Sequence, residues 1–338
     1  MSQSRTTPTL LQSPEFRLAI IAAAVFLLMA GLSPDRFLSA QNLTSMAFQF
    51  PEFAILALAM TITMLTGGID LSVVGIANLS AVVAALILTQ FAGPDVPTAT
   101  AIAWLAFALV TALAIGAVAG LLNGTLVAHF GLPPILATLG SGLVFTGLAI
   151  AMTGGSAIMG FPGAVAWIGN SLILGVPTPL VLFAALAIGL HILLTRTGFG
   201  LRVAMYGTNP LAALYAAVDV NRMLLRVYLI SGMFAAVAGM VIMSRANSAK
   251  ADYGSSYLLL AVLIAVLGGV NPYGGYGRVI GVVLAVLSMQ FLSSGLNMLQ
   301  VSNFARELIW GALLIFVMII NTTAWGRLKK APRPAETG

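Results

Sequence analysis

Apolar residues along this chain gather into long unbroken runs instead of alternating with polar ones. Ten runs cover about 18–33, 46–66, 71–91, 99–128, 134–153, 178–195, 226–244, 256–270, 279–298 and 306–325. The apolar core of a bilayer, about 30 Å thick, takes roughly 20 residues of helix, so each run reads as a membrane span. Gly and Pro clusters punctuate the runs, as at Gly93-Pro94, Leu132-Pro133-Pro134 and Gly274-Gly275. The third and eighth runs are bounded by the pairs Gly67-Gly68 and Gly268-Gly269, read here as hinge glycines. Each of these two runs is therefore a full span, a broken helix or a re-entrant segment. The first run follows a polar lead and has no clean small-x-small cleavage site, so it reads as a span and not as a signal peptide.

Composition changes the picture by exclusion. Of 338 residues, 60% are hydrophobic and 7% are charged, against about 25% charged in a soluble domain. That balance excludes an ordinary soluble enzyme, a disordered chain and a nucleic-acid binder. With no Cys there is no disulfide and no thiolate ligand, and two His, His129 and His191, are too few for a His-rich metal site.

The net charge of +6 takes its meaning from where the cations lie. With the N-terminus inside, eleven Lys and Arg fall on the cytoplasmic side and four, Arg36, Arg245, Lys250 and Arg306, fall outside. The positive-inside rule then places both termini in the cytoplasm and requires an even number of spans. The expected fold is an all-α polytopic membrane protein of about ten transmembrane helices. Its parts are a cytoplasmic tail over 1–17, a transmembrane domain over 18–325 with a cytoplasmic loop at about 196–226, and a basic cytoplasmic tail over 326–338. Residues 1–14 and 331–338 read as disordered.

Few groups inside the spans carry chemistry. Asp70 stands among apolar segments, where an acid marks a pathway, and also at the start of the third run, where it can N-cap the helix. It is the one membrane carboxylate plausible for ion coupling in this reading. Asn78 is a second pathway candidate. Gln290, Ser293, Ser294 and Asn297 recur at i, i+3, i+4 and i+7, so they share one helix face, toward either a cavity or a neighbouring helix. A neutral hydroxyl- and amide-lined route suits a neutral polyol better than an ion.

In the 196–226 loop, Asn209 can N-cap a short helix with Pro210 at its first position, followed by Leu211, Ala213, Leu214 and Ala217. Two helical turns are marginal alone in water. Such a helix is either a connector at the membrane interface or a docking element for a cytoplasmic subunit. The Gly-rich segment 268–277 lacks the Gly-Lys pair of a P-loop, which occurs nowhere in the chain. No cofactor is therefore expected here, and ATP hydrolysis would occur elsewhere.

Four motifs in order resemble the permease subunits of bacterial ABC importers for monosaccharides of the ribose, xylose and arabinose type. They are Ala57 to Ser72, ending in Gly-Gly-Ile-Asp-Leu-Ser; Leu121-Leu-Asn-Gly124 with Pro134 to Gly140 and Thr153-Gly-Gly155; Thr195 to Gly200 leading to Gly207-Thr-Asn-Pro210; and Leu267 to Gly277 with Ser294-Gly-Leu-Asn297. The resemblance covers about 43–320. It implies an inner-membrane permease that pairs with a second permease subunit, alike or different. It also implies a cytoplasmic ABC ATPase carrying ATP and Mg, and a periplasmic or lipid-anchored sugar-binding protein. The coupling helix falls on about 209–218, and Ala217 stands where members often carry Gly. The function implied is ATP-driven import of a small neutral sugar or polyol. Alternatives are an ABC permease for nucleosides or branched-chain amino acids, or an ion-coupled secondary transporter.

Overall fold

A computed structural model describes residues 13–329; the terminal stretches read above as disordered tails lie almost wholly outside the described residues. Helices come first and last: α1 Pro14–Leu32, α2 Pro34–Phe37, α3 Ala40–Met64, α4 Val73–Phe91, α5 Thr98–Ala128, α6 Pro134–Thr153, α7 Ala166–Asn170, α8 Thr178–Arg196, α9 Gly198–Thr208, α10 Pro210–Tyr215, α11 Val220–Ala246, α12 Tyr257–Leu267, α13 Val279–Met298 and α14 Asn303–Lys329. Between α7 and α8 lies a small hairpin of β1 Leu172–Ile173 and β2 Val176–Pro177, turned by Leu174 and Gly175, both at positive φ.

Among the described residues, eight helices are long and apolar enough to cross a membrane: α1, α3, α4, α5, α6, α8, α11 and α13. The third apolar run forms a helix of 19 residues, α4, which at about 1.5 Å per residue is enough for a span. The eighth run does not. Only 11 residues are helical in α12, roughly half a bilayer. The chain before it is unwound, paired to Ile158 through Ala249. Polar caps also move boundaries outward from the apolar runs. Ser39 Oγ accepts from Asn42 N at 3.2 Å and starts α3 at Ala40. Asp219 accepts from Arg222 N at 3.0 Å and starts α11 at Val220.

The centre of the molecule is α3, α4 and α11. In the best apolar window of α3, 83% of residues are buried, against 17% in α1, most of whose surface the other described residues leave uncovered. Helices in lipid gain little hydrophobic energy from one another, so close packing falls to small residues. The most extensive helix pair is α5 with α11. There Gly116, Gly120 and Gly124, each four apart, lie against the backbone of Gly232 and Tyr228 and against Leu225. A Cβ on Gly120 would strike the carbonyl of Tyr228. The same device joins α4 to α6, where a Cβ on Gly75 would meet the Gly142 carbonyl, and α11 to α4, where Gly239 lies on Ala77.

Asp70 is not the one carboxylate inside the bundle. Glu52 of α3 is buried and pairs with Arg245 at the end of α11. Its second oxygen accepts from the Tyr257 hydroxyl of α12 at 3.0 Å. The sequence reading passed over Glu52, although an acid inside an apolar run is the signal that singles out Asp70. This clasp holds the start of the short α12 against two long helices.

Three stability outcomes follow, each measured as a thermal midpoint of the purified chain in detergent. Gly120→Ala forces backbone against backbone and lowers stability by about 1–3 kcal/mol. Gly140→Ala, where an added Cβ meets nothing within 4 Å, leaves stability unchanged or raised. Glu52→Gln removes the charge that Arg245 faces and costs about 3 kcal/mol.

Candidate functional site

The turn from α3 to α4 is built around Asp70. Its Oδ1 accepts from Ser72 N at 3.1 Å and Ser72 Oγ at 2.6 Å. Its Oδ2 accepts from Ser231 Oγ of α11 at 2.8 Å. Asn123 of α5 donates to Ser72 Oγ at 2.7 Å, and Thr138 of α6 accepts from Leu71 N at 3.0 Å. Asp70 is fully buried, as are Ser72, Ser231 and Asn123. Ser72, not Asp70, occupies the N-cap position of α4; Asp70 bonds two residues ahead in an Asx turn and ties α4 and α11 together, with Asn123 of α5 joining through Ser72. Asn78 faces elsewhere. Its amide donates to the carbonyls of Ala251 and Tyr253, each at 2.9 Å, and so satisfies the unwound chain before α12.

The Gly-Gly pairs act as helix caps. After α3, Gly67 N bonds Met64 O and Gly68 N bonds Thr63 O, with Gly67 at φ +78°. After α12, Gly269 N bonds Val266 O and Val270 N bonds Ala265 O, with Gly269 at φ +83°. Both are Schellman motifs, in which a left-handed residue closes the last carbonyls. Gly68 packs under the Tyr228 hydroxyl, and Gly268 packs on the backbone of α13 at Gly281 and Val282.

The two capped turns meet each other and a third segment. Gly275 N donates to Leu65 O at 2.9 Å. Gly207, at the end of α9, sits between the Leu65 carbonyl and Gly275 with no room for a Cβ. Gly274 lies on Gly67 and Gly207. Gly207 was absent from the candidate residues; its signal was its place just before the Asn209-Pro210 cap.

From this junction α10 projects. Asn209 Oδ1 accepts from Leu211 N and Ala212 N, each at 3.1 Å, and Pro210 is the first helical residue. Ala213 is fully buried, whereas Leu211, Leu214 and Tyr215 are exposed. Ala217 takes φ +55° and repeats the Schellman pattern, with Ala217 N to Leu214 O and Val218 N to Ala213 O. An Ala there adopts the conformation that Gly adopts freely.

The stripe on α13 divides. Gln290 and Ser293 line a cavity of about 290 Å³ between α3, α12, α13 and α14. Ser294 instead donates to Asn42 Oδ1 at 2.9 Å and serves packing against α3. Asn297 is exposed near the end of the helix. Among the described residues, no group of three or more His, Asp or Glu is placed to hold a metal ion.

Comparison with known proteins gives this geometry a family. Residues 42–318 match the family described as branched-chain amino acid transport system / permease component. The chain is 34% identical over 311 residues to the autoinducer 2 import system permease proteins LsrD of Photorhabdus temperata and Salmonella typhimurium (strain LT2), covering 90% of this chain and 90% of each relative. The LsrD protein of Escherichia coli O9:H4 (strain HS) is equally similar, with 91% of its length covered. No solved structure matches. With the family matched over most of its length, a polytopic helical fold and relatives that are permeases of import systems, the chain belongs to the membrane permease subunits of ABC importers.

Proposed function

We propose that this chain forms, with a second permease subunit, the inner-membrane pathway for a small neutral sugar or polyol. Both termini lie in the cytoplasm in this reading, and the energy comes from ATP bound and hydrolysed on a cytoplasmic partner. A binding protein outside delivers the substrate. Each ligand acts by binding the inward- and outward-facing states unequally.

The observation that carries this reading is the short helix α10. It presents Leu211, Leu214 and Tyr215 outward while its base is locked to the turns that cap α3 and α12. A surface of that kind suits an ATPase whose movement must reach the spans. The names of the relatives speak for import of autoinducer 2, which makes it the first substrate to test. The family description favours a second reading, import of a branched-chain amino acid.

Proteoliposomes holding the permease with its ATPase and binding protein decide between them. Uptake of autoinducer 2 or a neutral sugar that requires ATP supports the proposal. ATP-dependent leucine uptake without sugar uptake supports the second reading, and uptake without ATP overturns both.

Docking has its own outcome. Leu214→Asp and Tyr215→Asp alter the exposed face and abolish co-purification of the ATPase, while the permease stays monodisperse. Ala213 is a poor reporter, because an acid there disrupts the buried face of α10. Full ATPase recovery with both exposed-face variants removes α10 from the docking surface.

A further inference from the structure

We propose that the cavity between α3, α12, α13 and α14 is a ligand site for a neutral polyhydroxylated molecule, gripped by Arg306 and Trp310 of α14. The proposal rests on the sugar-import reading and adds to it a place on this chain where the sugar is held.

Two donors point to an occupant. The Arg306 Nε–H and the Trp310 Nε1–H are buried with no acceptor among the described residues, and both residues line this one cavity. They stand four apart on α14, on the same side of the helix. A buried donor left unpaired bears its full desolvation cost, so two residues that carry such donors and line one space favour a molecule there that brings acceptor oxygens.

The residues that α13 adds to the lining select what else that molecule carries. Gln290 is buried and Ser293 half-buried, three apart on α13. An amide and a hydroxyl each donate and accept, so they answer hydroxyl groups and not a bare acceptor. Phe53 and Tyr257 supply apolar ring surface to the same space. Hydroxyls against mixed polar groups, with C–H faces against rings, describe a sugar or polyol.

Charge argues the same way. Of the two cations lining the cavity, Arg245 is neutralised by Glu52, and Arg306 has Glu307 as its neighbour in the lining. Two cations against two carboxylates leave no net charge to hold an anion or a cation. The volume of about 290 Å³ lies just below the range of about 300–1,000 Å³ for ligand pockets. That excludes a bulky ligand and leaves room for a monosaccharide.

Saturation-transfer NMR on the full chain in lipid nanodiscs tests the site, with D-ribose, L-rhamnose and erythritol as neutral probes and L-leucine and inorganic phosphate as contrasts. Wild type transfers saturation to at least one neutral probe. Trp310→Phe keeps a ring but removes the N–H, and Arg306→Met removes the guanidinium; each weakens that transfer about fivefold or more. Trp310→Phe suffices if Arg306→Met does not fold. No transfer to any neutral probe, undiminished transfer in Trp310→Phe, or transfer to leucine or phosphate alone overturns the proposal. ATP-driven uptake by the intact importer is scored separately. Sugar uptake without transfer removes this site and leaves the transport reading standing. Transfer to ribose alongside leucine uptake supports the site and removes the sugar reading.

Discussion

The structure depends on backbone meeting backbone where side chains are missing. In lipid, two apolar helices gain little by leaving the solvent that surrounds them, so their association rests on close packing and on polar contacts. The run Gly116, Gly120 and Gly124 supplies the first by letting α5 settle onto α11 at Gly232 and Tyr228. The second follows from position. Asn123 adjoins Gly124, and Ser231 adjoins Gly232, so the approach of the two backbones carries both side chains to the turn holding Asp70 and Ser72. A buried carboxylate needs its hydrogen bonds made, and this arrangement makes three.

A second set of close contacts joins the capped turns to one another. Gly67, Gly269 and Ala217 end α3, α12 and α10 with the same pair of capping bonds. The first two turns and the end of α9 touch at Gly67, Gly274, Gly275 and Gly207. A movement imposed on α10 therefore meets the caps of α3 and α12 with no flexible side chain between. The half-length α12 is buried from Leu260 to Val266. Its start is held by the Glu52, Arg245 and Tyr257 clasp and its preceding chain by Asn78. Arg245 and Tyr257 of that clasp also line the polar cavity.

Much of this was legible in the runs of apolar residues. They place every long helix, but their Gly-Gly bounds mark the third and eighth runs alike, and only the eighth is cut short, to 11 helical residues against 19. What escaped them is polar. Ser39 and Asp219 start α3 and α11 several residues before the apolar run begins, because a cap is a local hydrogen bond and hydropathy is blind to it. Asp70 sits where an N-cap is expected, yet α4 begins at Val73 with Ser72 in that position, and the carboxylate bonds the distant Ser231 of α11 instead. The stripe on α13 shares a face as its spacing requires. Spacing does not say that Ser294 meets Asn42 of α3 while Gln290 and Ser293 meet a cavity. Arg306 and Trp310 carried no signal in spacing or motif, because their meaning comes from lacking a partner.

The central claim is that α9 and α10 move with the Gly-rich turn after α12 as one unit. The chain has no Cys, so two spin labels can be placed cleanly at Leu201→Cys on α9 and Tyr273→Cys on the turn, both exposed positions. Pulsed electron–electron distance measurement on the assembled importer reads their separation without nucleotide and with ATP bound. The account predicts one narrow distance distribution, unchanged between the two states. A shift of that distance, or its division into two populations when ATP binds, would contradict it.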